Sequence, residues 1–113
     1  MTEDAALKAL DDCRTRIDAF DVRIMELLNQ RTRVVEEIGR IKEEFGMPIY
    51  EPKREDQVFR NVAAHNQGPL PLDAVKRIFE RIIDEMRTLQ RLGMKKRKAQ
   101  ASADGTQGAG MHD

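Results

Sequence analysis

Tryptophan is absent from the 113 residues, cysteine occurs once, at Cys13, and the remaining aromatics are four Phe and one Tyr. So few aromatics beside 35% charged residues argue against a sandwich or barrel and suit helices with alternating faces. A lone thiol forms no internal disulfide, so the chain does not read as a disulfide-stapled extracellular fold. No apolar run approaches the roughly 20 residues needed to cross a bilayer. The opening MTEDAALKAL has neither the basic start nor the apolar core of a secretory signal. A soluble, cytoplasmic protein with no membrane partner is expected. Net charge is missing too, with 20 basic residues against 20 acidic ones. No overall field draws in nucleic acid, and any anion site must come from local placement.

Proline does not occur before Pro48, and Gly39 is the only glycine before Gly46. From Leu7 to Phe45 apolar residues return at every third or fourth position, which predicts one very long helix. Gly46 and Pro48 form its stop. Pro52 suits the first turn of a second, short helix from about Glu51 to His65, with Val58, Phe59 and Val62 on its apolar side. The segment NQGPLP breaks the chain. Val75, Ile78, Phe79, Ile82, Ile83, Met86 and Leu89 then mark a third amphipathic helix ending near Gly93. Residues 94–113, MKKRKAQASADGTQGAGMHD, are small and polar without a period and read as a disordered tail, leaving one domain over 1–93. The basic run Lys95 to Lys98 is read as a solvated helix end in preference to a nucleic-acid patch.

The expected fold is therefore all-α, a three-helix protomer, and the first helix is too long for it. Leu7 to Phe45 would span about 58 Å, against a radius of gyration of about 13 Å for a compact domain of this size. Two shorter helices do not cover its apolar stripe, so a second copy is the natural cover and an intertwined antiparallel homodimer is expected. Four charges interrupt that stripe: Arg14, Asp21, Arg31 and Lys42. Buried charges need partners, and three cations against one anion suggest an anionic guest. Arg31 and Lys42 are about 16 Å apart along a helix, and Arg14 is about 25 Å from Arg31. One small molecule does not reach both Arg14 and Lys42 of one helix. Antiparallel pairing about a midpoint near residue 26 sets the partner's Arg14 opposite Ile38, between Arg31 and Lys42, and the partner's Asp21 opposite Arg31. Two identical pockets follow, each with cations from both subunits. Gln90 on the third helix and Glu51, Arg54 and Glu55 at the start of the second add polar groups to the same region.

Arg14 in CRTRIDAFD, Arg31 and Lys42 in LLNQRTRVVEEIGRIK, Arg54 and Glu55 in EPKRE, and Gln90 in the third helix together resemble the all-helical (AroQ-type) chorismate mutases. The likeness covers about residues 7 to 92. It implies a three-helix protomer in an interlocked homodimer that rearranges chorismate to prephenate in Phe and Tyr biosynthesis, the shikimate pathway, with no cofactor and no metal. It further implies that the partner's Arg14 binds a substrate carboxylate, and that Arg31 and Arg54 help to hold the two carboxylates. Lys42 and Gln90 would donate to the ether oxygen of the breaking bond, and Glu55, helped by Glu51, would accept from the ring hydroxyl. Met86 stands near the ring carboxylate where some relatives place a hydroxyl residue, and Glu51 replaces a shorter Asp. Such an enzyme needs neither nucleophile nor proton carrier, and the sequence offers no Gly-rich phosphate loop, Ser-His-Asp set or His/Cys ligand cluster. Two other readings stay open: an isochorismate pyruvate lyase of the same fold, and a plain helical dimerisation scaffold. Association with another aromatic-pathway enzyme is a further possibility that the sequence leaves open.

Overall fold

The structure is a computed structural model that describes residues 1–112, with side chains as far as Ala103. Its described residues form three helices and no strand: α1 Glu3–Glu44, α2 Pro52–His65 and α3 Leu72–His112. By internal contacts the chain divides into two units, Met1–Val34 and Val35–Asp113.

Helix α1 begins four residues before the first apolar position of its stripe because Thr2 caps it. The Thr2 hydroxyl accepts from the Ala5 N–H at 3.1 Å and its carbonyl from Ala6 at 2.9 Å. Glu3 and Asp4 occupy the first turn, where negative charge is favoured by the exposed N–H groups. In the N-terminal unit the large apolar side chains Leu7, Leu10, Ile17, Phe20, Ile24, Leu27 and Val34 are all exposed. An exposed apolar row on this scale is a candidate interaction surface.

The other end of α1 is closed by backbone geometry. Gly46 takes a φ of 63°, its N–H donates to the Glu43 carbonyl at 3.3 Å, and the Met47 N–H donates to Lys42 at 2.7 Å. These two bonds are the Schellman closure, which requires a left-handed residue that glycine adopts without a Cβ clash. Lys42 thereby occupies the last turn of α1, and the chain turns back toward α2.

Helix α2 starts with Pro52, whose missing N–H would have lacked a helical partner anyway. It ends at Asn66, whose side chain accepts from the Gly68 N–H at 3.0 Å and donates to the Leu70 carbonyl at 2.8 Å. The Pro71 carbonyl then accepts from Ala74 and Val75, opening α3. Helices α2 and α3 pack together. Val75, Ile83 and Met86 are the buried apolar residues among those described, and Phe59, Val62, Ala63, Leu72, Val75 and Lys76 line an apolar crevice beside them.

The helix end expected near Gly93 is absent, and α3 continues to His112. One glycine costs a helix about 1 kcal/mol but does not stop it. No proline follows, and Met94 to Ala101 are mostly strong helix formers. The expected disordered stretch is thus helical in its backbone through His112, and Asp113 lies outside the described residues. Arg97, part of the basic run, donates to Glu43 near the end of α1.

The Gly46 turn yields a stability prediction. A Cβ there would meet no atom within 4 Å, so Gly46→Ala carries only the left-handed backbone cost. Urea unfolding should show a loss of about 1 kcal/mol. An unchanged midpoint would contradict the left-handed closure.

Candidate active site

Lys42 is the one charged residue buried among those described, at 8% exposure. Its Nζ donates to the Ile49 carbonyl at 3.0 Å and to Glu51 Oε1 at 2.8 Å. Both acceptors lie just beyond the Gly46 turn, so the closure of α1 is what brings them to the ammonium. An ammonium has three N–H donors. Two are engaged by protein oxygens, to Ile49 and Glu51.

Gln90 approaches the same stretch of α1 from α3. Its Nε2 donates to the Val35 carbonyl at 3.4 Å, a long bond that leaves the amide's second N–H to spare. Gln90 packs beside Gly39 of α1, where an added Cβ would stand 3.7 Å from Gln90 Cγ, an ordinary packing distance. Gly39 is also one of the two buried residues of α1, with Lys42.

On α2, Glu55 lies one turn after Glu51 and is half-buried. Its Oε2 accepts from Arg87 Nη2 at 2.6 Å, and the Arg87 guanidinium lies over the Tyr50 ring at 4.9 Å from its centre. Neither Arg87 nor Tyr50 was picked out from the sequence. Met86, next to Arg87 on α3, is buried.

The structure thus brings Lys42, Glu51, Glu55, Met86 and Gln90 into one unit, through ion pairs and the packing of α2 on α3. Arg54 is in the same unit but exposed, with Nη1 3.4 Å from Gln57 Oε1. Arg14 and Arg31 belong to the N-terminal unit. Arg14 is well exposed and stands 3.7 Å from Asp11 of its own helix, a weak surface pairing. Arg31 is half-buried. Asp21 is exposed.

Chemically, the buried part of this arrangement offers an ammonium and an amide N–H from opposite helices, and a carboxylate with one oxygen engaged. That set suits holding a polar molecule by hydrogen bonds and stabilising negative charge on an oxygen. Among the described residues no group of three or more His, Cys, Asp or Glu is placed to hold a metal ion, and no helix is long and apolar enough to cross a membrane.

Comparison with known proteins gives the arrangement a family. Residues 13–91 match the family model described as chorismate mutase type II. A bifunctional chorismate mutase/prephenate dehydratase of Aquifex aeolicus is 32% identical over 89 residues, which is 75% of this chain and 25% of that protein. The chain spans about a quarter of the length of such bifunctional relatives. Among solved structures, form II of the chorismate mutase from Thermus thermophilus matches with a TM-score of 0.72 at 34% identity, covering 74% of this chain and 94% of that one. The chorismate mutase from Helicobacter pylori in complex with prephenate matches with a TM-score of 0.73 at 27% identity, covering 78% and 96%.

Proposed function

Because the chain belongs to the chorismate mutase type II family, we propose that it rearranges chorismate to prephenate, as an isomerase of Phe and Tyr biosynthesis that uses no cofactor. The observation that carries this reading is the extent of the family match: residues 13–91 enclose every polar residue of the candidate site, from Arg14 to Gln90. The relative solved with prephenate supports the choice of ligand.

In the rearrangement one C–O bond breaks as one C–C bond forms within a single molecule. No proton or electron is gained or lost. The protein's task is to hold the flexible dianion compact and to favour the negative charge that grows on the ether oxygen. Lys42 and Gln90 are the donors to that oxygen, with Arg31 as the third catalytic residue. Arg54, Arg31 and the partner's Arg14 bind the carboxylates. Glu55, supported by Glu51, accepts from the ring hydroxyl, and Met86 closes the wall near the ring carboxylate. Removing one donor of this kind costs about two to three powers of ten in rate.

The active form is a homodimer with shared sites. Supporting this is the row of exposed apolar side chains in the N-terminal unit, which a second copy would cover. The catalytic domain is residues 1–93, with 94–113 an appendage. The protein works in the cytoplasm, and the fusion of its relatives to prephenate dehydratase favours an association with another aromatic-pathway enzyme.

The direct experiment incubates pure protein with chorismate and follows its absorbance, with product identified by acid conversion to phenylpyruvate. Pyruvate released from isochorismate instead would make the chain a lyase, and no turnover of either would make it a scaffold. Sharing is tested in the same assay by mixing Arg14→Ala with Lys42→Ala, each inactive alone. Exchange should restore one intact site in each mixed dimer, and no recovery despite proven exchange would rule sharing out.

Gln90 generates a pH prediction. A neutral amide donates at every ordinary pH, whereas a carboxyl donates only while protonated. Gln90→Glu should therefore be active at low pH and lose rate as pH rises through the new carboxyl's pKa, because the ionised form repels the charge growing on the ether oxygen. A Gln90→Glu variant with the parent's rate and pH profile at neutral pH would remove Gln90 from the reaction.

A further inference from the structure

Arg87 is held in a way that packing alone does not explain. Its Nη2 donates to Glu55 Oε2 at 2.6 Å, a contact between residues 32 positions apart, and stands 3.7 Å from Asp84 Oδ1 on its own helix. Its guanidinium covers the Tyr50 ring at 4.9 Å. Its Nε is buried and has no hydrogen-bond partner. A buried donor left unsatisfied costs stability, and an apolar side chain of similar volume would avoid that cost. An arginine here makes sense for what it does to its neighbour.

The guanidinium is planar, and its place over the Tyr50 ring, 4.9 Å from the centre, together with the bond to Glu55, restrains that plane. With the plane restrained, the direction of Nη2 is restrained, and with it the rotation of the Glu55 carboxylate. Oε2 is engaged by Arg87, and Oε1 keeps its full accepting capacity for a ligand. Both partners are about four-fifths withdrawn from water, at 21% and 24% side-chain exposure, so the pair is far less screened than a surface ion pair. Arg87 also lies one helical turn before Gln90 and next to Met86 on α3, in the segment that carries the other α3 residues of the candidate site.

We propose that Arg87 is a positioning residue for Glu55, locking one carboxylate oxygen, with Tyr50 as its platform, so that the other accepts from the ring hydroxyl of the bound substrate. Arg87 touches no reacting atom and acts through Glu55. The inference rests on the proposed function, because only a substrate with a ring hydroxyl gives the aimed oxygen something to accept.

The test is a double-mutant cycle in chorismate kinetics. Arg87→Met should lower kcat/KM about tenfold or more in the parent protein, as expected when a group holding the substrate is misplaced. In a Glu55→Ala background the same substitution should change kcat/KM less than twofold. Arg87→Lys, which keeps the charge without the plane, should recover part of the loss. Circular dichroism melts of each variant separate folding from function, with kinetics taken well below every midpoint. Equal losses in both backgrounds would make Arg87 a structural residue and overturn the proposal, as would parental kinetics in a folded Arg87→Met. Should Arg87→Met not fold, Arg87→Lys takes its place in the cycle, with the same two outcomes deciding. Failure of the parent protein to turn over chorismate would remove the proposed function, and this inference with it.

Discussion

A buried ammonium must be surrounded by oxygen, because the cost of taking a charge out of water is several kcal/mol unless partners replace the hydration shell. Lys42 meets this requirement with the Ile49 carbonyl and Glu51, and much of the described structure follows from it. The acceptors arrive only because the chain reverses at Gly46. The reversal ends α1, aims Pro52 into the first turn of α2, and sets Glu55 one turn beyond Glu51. The last turn of a helix is also favourable for a cation, since its unsatisfied carbonyls carry partial negative charge.

The polar groups of the candidate site are held by different means. Gln90 is held by the Val35 carbonyl, Glu55 by Arg87, and Arg87 lies over the Tyr50 ring. Arg97 on the continuation of α3 reaches Glu43 beside Lys42. By contrast, the apolar contribution is slight: Val75, Ile83 and Met86 are the buried apolar residues among those described. The proposed dimer would add apolar burial to this small core.

Local signals in the sequence told most about the helices. The stop of α1 was readable because glycine followed by proline has a backbone meaning, and the start of α2 because Pro52 does. The start of α1 was not read, since Thr2 precedes an alanine-rich turn and not an apolar residue. Gly93 misled in the other direction, because an isolated glycine without a following proline is a cost and not a stop. Of the site residues, Lys42 stood out as a charge in an apolar stripe. Arg87 and Tyr50 did not, because an arginine on a helix and a tyrosine in a loop are ordinary until the fold brings them together with Glu55. Arg14 and Arg31 were placed by periodicity and by a resemblance, and their roles are proposals about the assembled enzyme.

In the proposed site Lys42 keeps one of its donors for the ligand. Heteronuclear NMR of the lysine side-chain ammonium groups, with Lys42 assigned by its loss in Lys42→Met, tests this on the folded protein during titration with prephenate. The expected result is a saturable shift of the Lys42 signal, with the exposed lysines of the basic run unmoved. Saturable binding of prephenate that leaves the Lys42 signal where it stands would contradict it.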